Sequence, residues 1–192
     1  MKYFSLIILL SLATFLLSGC LYDAPPSRPI SQIDTFLLGQ WITQDKSGKI
    51  FEATIAPLDG THYHVTFFDK DKSGAQPWEF EGWISRVGNV KFLTLQSLSP
   101  DPRYHDKYLF LHYELITAEK DPTDSAGIGG RRIRIYEPQL PSSALHLDSY
   151  HLRQAIGEKL HEGTLLLPLS APLGFSVWTR TGGDITWPKS KI

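Results

Sequence analysis

The chain has 192 residues, with 19 basic and 20 acidic side chains and a formal net charge of −1. That balance lacks the positive field that nucleic-acid binding needs, so no nucleic-acid partner is expected. Five Trp, eight Tyr and ten Phe supply large apolar surface of the kind favoured on strands, the length suits a single domain, and one cysteine excludes an intrachain disulfide.

The chain opens with Lys2 and an almost wholly apolar run from Tyr3 to Leu17, followed by Ser18, Gly19 and Cys20. A positive start, a short apolar run and small residues before a cut describe a secretory signal. The run is shorter than the ~20 residues a spanning helix needs, and no Lys or Arg cluster follows to stop transfer. Leu17-Ser18-Gly19-Cys20 resembles the lipobox of bacterial lipoproteins. The resemblance implies a signal peptide over 1–19 and a lipidated Cys20 carrying acyl chains such as palmitate. The mature chain would then have 192 − 19 = 173 residues. Leu21, where an Asp would favour retention at the inner membrane, implies the periplasmic side of the outer membrane. A thiol consumed by lipid leaves none for thiol catalysis.

Residues 20–33 carry Pro25, Pro26 and Pro29, and read as a tether stiffened toward polyproline II. A short helix or turn is expected before Gly39, with Ile33, Phe36, Leu37 and Leu38 packing one face. Short alternating runs then predict strands over Gln40–Gln44, Lys49–Ala56, Thr61–Asp69, Gln76–Ser85, Val90–Leu98, Lys107–Thr117 and Arg131–Tyr136. Asp45-Lys46-Ser47-Gly48, Leu58-Asp59-Gly60 and Asp69–Gly74 read as hairpin turns, and Ala118–Gly130 as a long polar loop. One stretch reads as a helix. Asp148 or Ser149 caps it, Leu152, Ala155, Ile156 and Leu160 form an apolar stripe, and Gly163 stops it. Thr164–Leu167, Phe175–Thr181 and Ile185–Trp187 are expected as the last strands. Seven to ten short strands at hairpin spacing predict a mainly β, antiparallel sandwich or barrel with one late helix.

Leu38-Gly39-Gln40-Trp41 on the first strand resembles the Gly-x-Trp opening of lipocalin-type barrels. In those barrels a late Arg stacks across the Trp and closes one end. Arg180, after Trp178, falls where that Arg is expected, so Gly39, Trp41 and Arg180 are expected to form the closure. The middle of the chain is similar to a group of bacterial lipocalin-like proteins, which brings no activity with it. The matching pieces are Tyr63–Phe67, Phe92–Leu95, Tyr108–His112 and the late helix. The resemblance implies an antiparallel up-and-down, lipocalin-like barrel over 34–192. Two departures stand out: the Thr-Asp-Tyr turn of lipocalins is absent, and a helix interrupts the late strands.

Candidate sites follow from this frame. Trp41, Tyr63, Phe67, Trp78 and Phe80 are the inward aromatic positions expected to line a ligand site; His112, within the apolar run Tyr108–Tyr113, is a further candidate, although a satisfied barrel-wall histidine is the favoured reading there. Asp69-x-Asp71-x-Ser73-Gly74 imitates half of a calcium loop, but its twelfth position is Phe80, so a hairpin turn is favoured. His62-x-His64 shares one strand face without an evident third ligand and reads as solvated. Arg131, Arg132 and Arg134 read as a charged strand edge. No nucleophile elbow, phosphate loop, dinucleotide fingerprint or zinc-protease motif occurs. The expectation is a non-enzymatic envelope lipoprotein without cofactor or metal. Its barrel would bind an apolar or amphipathic small molecule, or would be packed and act as an accessory module toward envelope proteins.

Overall fold

A computed structural model describes residues 21–44, 48–71, 76–116, 132–165 and 177–181. The signal segment, Cys20, Arg131, the loop 118–130 and the expected strand Ile185–Trp187 lie outside the described residues. Eight antiparallel strands close into a barrel in sequence order. They are β1 (Gly39–Gln44), β2 (Ile50–Pro57), β3 (His62–Asp69), β4 (Trp78–Val87), β5 (Val90–Ser97), β6 (Tyr108–Ile116), β7 (Arg132–Tyr136) and β8 (Val177–Arg180). The last strand returns to the first, with Trp41 opposite Arg180 and Ile42 opposite Thr179. Closure leaves no sheet edge among the described strands. Of the expected strand Thr164–Leu167, the described residues Thr164 and Leu165 belong to the turn that ends the helix.

Alternation along each strand decides what faces inward. The positions Trp41, Phe51, Ala53, Ile55, Tyr63, Val65, Ile84, Leu93, Leu95, Tyr113, Ile133 and Trp178 form one buried core inside the barrel. Burying each large apolar side chain of this kind contributes about 1.5–3 kcal/mol. The connections β1–β2, β3–β4 and β5–β6 lie at one end, called the mouth below. The connections β2–β3, β4–β5 and β6–β7 lie at the other.

That second end is plugged. A 3-10 turn, η1 (Thr35–Leu37), is capped by the Asp34 carboxylate, which accepts from Phe36 N. Leu37 and Leu38 enter the barrel core with Ile33. The short turn expected before Gly39 is therefore present, but it closes the barrel floor, and Phe36 is the member left exposed.

A second core lies on the outer wall. The helix α1 (Ser149–His161) places Leu152 and Ile156 against Val87, Phe92 and Phe110, which point outward from β4, β5 and β6. Asp148 caps it by accepting from Tyr150 N and His151 N. Gly163, at φ +69°, ends it in a conformation that suits glycine. A 3-10 turn, η2 (Ser142–His146), precedes it after Pro141 and adds Ala144 to the same core.

The segment expected as a free tether packs here instead. Tyr22 is paired to Tyr108 by two backbone hydrogen bonds of 2.7 and 2.9 Å, and its ring lies 4.4 Å from Phe110. The Ser27 carbonyl accepts from Trp83 Nε1 at 2.9 Å and Ser85 Oγ at 3.0 Å. Arg153 Nε donates to the Pro26 carbonyl at 3.2 Å, and Ile33 N to Gly60 O at 3.1 Å. Residues 22–33 thus form a strap along the barrel wall, from the mouth to the floor. Prolines remove donors but keep their carbonyls; Arg153 supplies a donor to the Pro26 carbonyl, and the outward Trp83 and Ser85 supply donors to the carbonyl of the adjoining Ser27.

Candidate functional site

The closed end is built around Gly39. Its φ of +136° is a conformation L side chains rarely adopt, and a Cβ there would lie 2.5 Å from Arg180 Nε. The Arg180 side chain therefore occupies the space that the missing Cβ leaves. Trp41, on the same inward face as Arg180, is 1 % exposed and donates from Nε1 to Leu37 O at 2.8 Å. Strand, plug and closing strand are thus joined at one point. The expected closure of Gly39, Trp41 and Arg180 is brought together in the structure.

Tyr63 belongs to this floor as well. It is fully buried, its hydroxyl accepts from Asp34 N, and it approaches Asp34 O at 3.3 Å. From the opposite wall Tyr113 donates its hydroxyl to Asp34 Oδ2 at 3.1 Å. Burial pushes both phenols far above their ordinary range, and for Tyr113 the Asp34 carboxylate adds to the shift. Both stay protonated and serve as neutral hydrogen-bonding groups that hold the plug. Trp41 and Tyr63 therefore point inward as expected, but they seal the floor and do not border open space.

The mouth holds the other aromatic candidates. Phe67 stacks on Trp78 with ring centroids 5.3 Å apart and on Phe51 at 5.6 Å. It also meets Trp178 at 5.9 Å. Phe80 faces inward beside Val65 and is partly buried. Trp78 ends the stack and is 39 % exposed. At the rim, Lys49 Nζ sits 4.8 Å over the Phe51 ring and 2.7 Å from Asp69 Oδ2, whose side chain is almost wholly buried. The mouth thus offers stacked apolar faces beside a paired cation and carboxylate, a surface suited to molecules with one apolar and one polar end.

Sequence reasoning missed four of these mouth residues. Phe51 and Trp178 sit on inward faces that alternation already marked. Asp69 was legible too, since it continues the every-second-residue series Tyr63, Val65, Phe67. Lys49 falls just before β2, but it continues the every-second-residue series Phe51, Ala53, Ile55 and was legible in the same way. The floor residues Asp34 and Tyr113 were likewise not singled out.

His112 is placed outside the barrel interior. It pairs with Phe92, whose ring belongs to the outer core, and its Nδ1 lies 3.0 Å from Lys91 O. Its ring lies tilted at 5.6 Å from Tyr136, whose hydroxyl donates to Glu114 at 2.8 Å and accepts from Arg134 at 3.2 Å. The reason is coverage of both sheet faces. α1 and the strap make outward positions of β5 and β6 apolar as well, so the run Tyr108–Tyr113 gives no clear phase. His62 and His64 lie on the outer face beside Asp59, Glu81 and Glu79. Arg132 and Arg134 are exposed on β7. Asp71 Oδ2 accepts from Ile50 N at 3.0 Å, so this carboxylate ties the Asp69–Gly74 connection to β2. Among the described residues no group of three or more ligating side chains comes together to hold a metal ion.

Fold and site together define a closed, eight-stranded, up-and-down barrel of lipocalin-like architecture, sealed at one end and aromatic at the other. No protein-family model matches the chain, and no curated protein or solved structure matches it either.

Proposed function

We propose that this chain is a non-enzymatic, lipid-anchored protein of the bacterial envelope, attached through Cys20 at the periplasmic side of the outer membrane, whose barrel takes an apolar or amphipathic small molecule at its mouth. The observation that carries the ligand reading is the stack Phe51–Phe67–Trp78, which ends in a half-exposed tryptophan at the end opposite the plug. A tryptophan presents up to about 250 Å² to a neighbour. The exposed share of Trp78 leaves about 100 Å² to cover, or about 2 kcal/mol at 25 cal/mol per Å². The anchor reading rests on the resemblance of Leu17–Cys20 to a lipobox.

The test is a fluorescence titration of the purified protein with a panel of single-chain amphiphiles and free fatty acids below their micellar concentrations. Saturable quenching or a spectral shift is expected, weakened about thirtyfold by Trp78→Ala, the equivalent of those 2 kcal/mol. No saturable signal with any member, together with a bare mass in native mass spectrometry of protein taken from its host, would remove the ligand reading. A second reading is supported by the fill of the lower barrel. Trp41, Tyr63, Ile84, Leu93 and Tyr113 occupy that interior with their own side chains. A barrel of about eight strands is just wide enough to be filled in this way. On that reading the protein is an accessory or interaction module of the envelope.

A further inference from the structure

We propose that the barrel stands on the membrane with its mouth toward the bilayer, so that the rim carrying Trp78 and Leu98 lies at the lipid surface. This rests on the lipid anchor at Cys20 proposed above. Two residues of extended chain reach at most about 7 Å, so a lipidated Cys20 stays close to Tyr22. Tyr22 is itself held. It pairs with Tyr108 through both backbone groups, packs on Phe110 and is buried. Its neighbour Asp23 is held by Lys107 and by His146, the latter at 2.8 Å.

Tyr108 opens β6, and β6 begins at the mouth. Tyr108 stands opposite Gln96, Ser97 opposite Phe80, and Leu98 N donates to Glu79 O at 2.9 Å. Anchor point and mouth rim therefore share one end of the barrel. Two large apolar side chains are exposed on that rim, Trp78 at 39 % and Leu98 at 42 %. The floor exposes Phe36, Leu58 and Leu115, so exposed apolar surface by itself does not choose an end. The short leash does. The ten residues of β4 span about 33 Å along the strand, and a tilt of about 40° puts the floor about 25 Å from the mouth. Lying on the strap side would press the outer face of α1 against lipid. That face exposes Arg153, Gln154 and Glu158 with Tyr150 as its one large exposed apolar side chain, and the strap adds only Ile30, so the apolar stripe an interfacial helix needs is not formed. With the mouth at the lipid surface, the amphiphile that enters it comes from the bilayer.

The test uses the full chain, lipidated in its host and reconstituted into phosphatidylcholine–phosphatidylglycerol vesicles. With Cys20 acylated, Leu98→Cys and Asn89→Cys each supply a single free thiol, one at the rim and one at the exposed β4–β5 turn. Each carries an environment-sensitive fluorophore, and the vesicles carry a quencher on their acyl chains. Quenching several times stronger at position 98 than at 89 is expected. Equal or reversed quenching, with the lipid mass present on Cys20, would overturn the orientation and leave the anchor standing. A wild-type protein without lipid mass would overturn both. A measurement without introduced cysteines uses brominated lipids on the intrinsic fluorescence. Most of that quenching should vanish in Trp78→Phe, and quenching as strong as in the wild type would also overturn the orientation.

Discussion

Gly39→Ala tests the closure most directly. At φ +136° any side chain is strained, at a cost of about 1–3 kcal/mol. The new Cβ would also lie 2.5 Å from Arg180 Nε and 3.2 Å from its Cζ, so the guanidinium must leave its place. Overpacking of this kind costs about 1–3 kcal/mol more. The sum, about 2–6 kcal/mol, is a large share of the 5–15 kcal/mol that holds a typical domain. Arg180→Ala removes the clash and leaves the backbone strain. In the double variant Gly39→Ala/Arg180→Ala the losses should therefore fall short of additivity by about 1–3 kcal/mol. Urea melts of residues 21–192 for wild type, both single variants and the double variant give the cycle, provided the slope stays constant. A wild-type midpoint for Gly39→Ala, or strictly additive losses, would mean that Arg180 does not fill the space beside Gly39.

Tyr22→Ala should destabilise the protein by about 3–5 kcal/mol in the same melts, because its buried ring packs on Phe110; a freely extended tether would show no change. Tyr113→Phe removes the donor to Asp34 and should cost about 1–2 kcal/mol by thermal or urea unfolding, with the barrel's circular dichroism unchanged. Asp59 accepts from Thr61 N and His62 N, and the bond from Thr61 leads in holding its pKa down, from 3.8 to about 2. Its contribution is present above pH 3.8 and is lost as pH falls toward 2, so the stability gap between wild type and Asp59→Asn should narrow over that window in pH-resolved melts. Cys20→Ser should leave an uncleaved or soluble precursor in cell fractionation, and normal membrane attachment of the variant together with no lipid mass on the wild type would refute the anchor.

The strands were legible because each writes a period of two between recognisable turns. In β2, Phe51, Ala53 and Ile55 alternate with Ile50, Glu52 and Thr54, and they face the core as the pattern implies. The Asp148 cap and the Gly163 stop were legible because both act within a few residues of chain. So was the Gly-x-Trp pair, whose glycine answers a local backbone requirement. What lay beyond reach depends on contacts between distant segments. The pairing of Trp41 with Arg180 was reached only through the resemblance to lipocalin-type barrels, because it follows from strand tilt and closure around the whole barrel, which no local window contains. The strap looked like a solvated tether because its bonds run from proline-rich carbonyls to Trp83, Ser85 and Arg153, far along the chain. Tyr63 and Phe67 share one face of one strand, yet one seals the floor and the other stacks at the mouth. Alternation assigns a side to each residue, and only the assembled barrel assigns it an end. His112 sits on the barrel wall with its ring outward, and its side was not legible because α1 and the strap bury the outer face of β5 and β6, which removes the polar half of the alternation that would have fixed its phase.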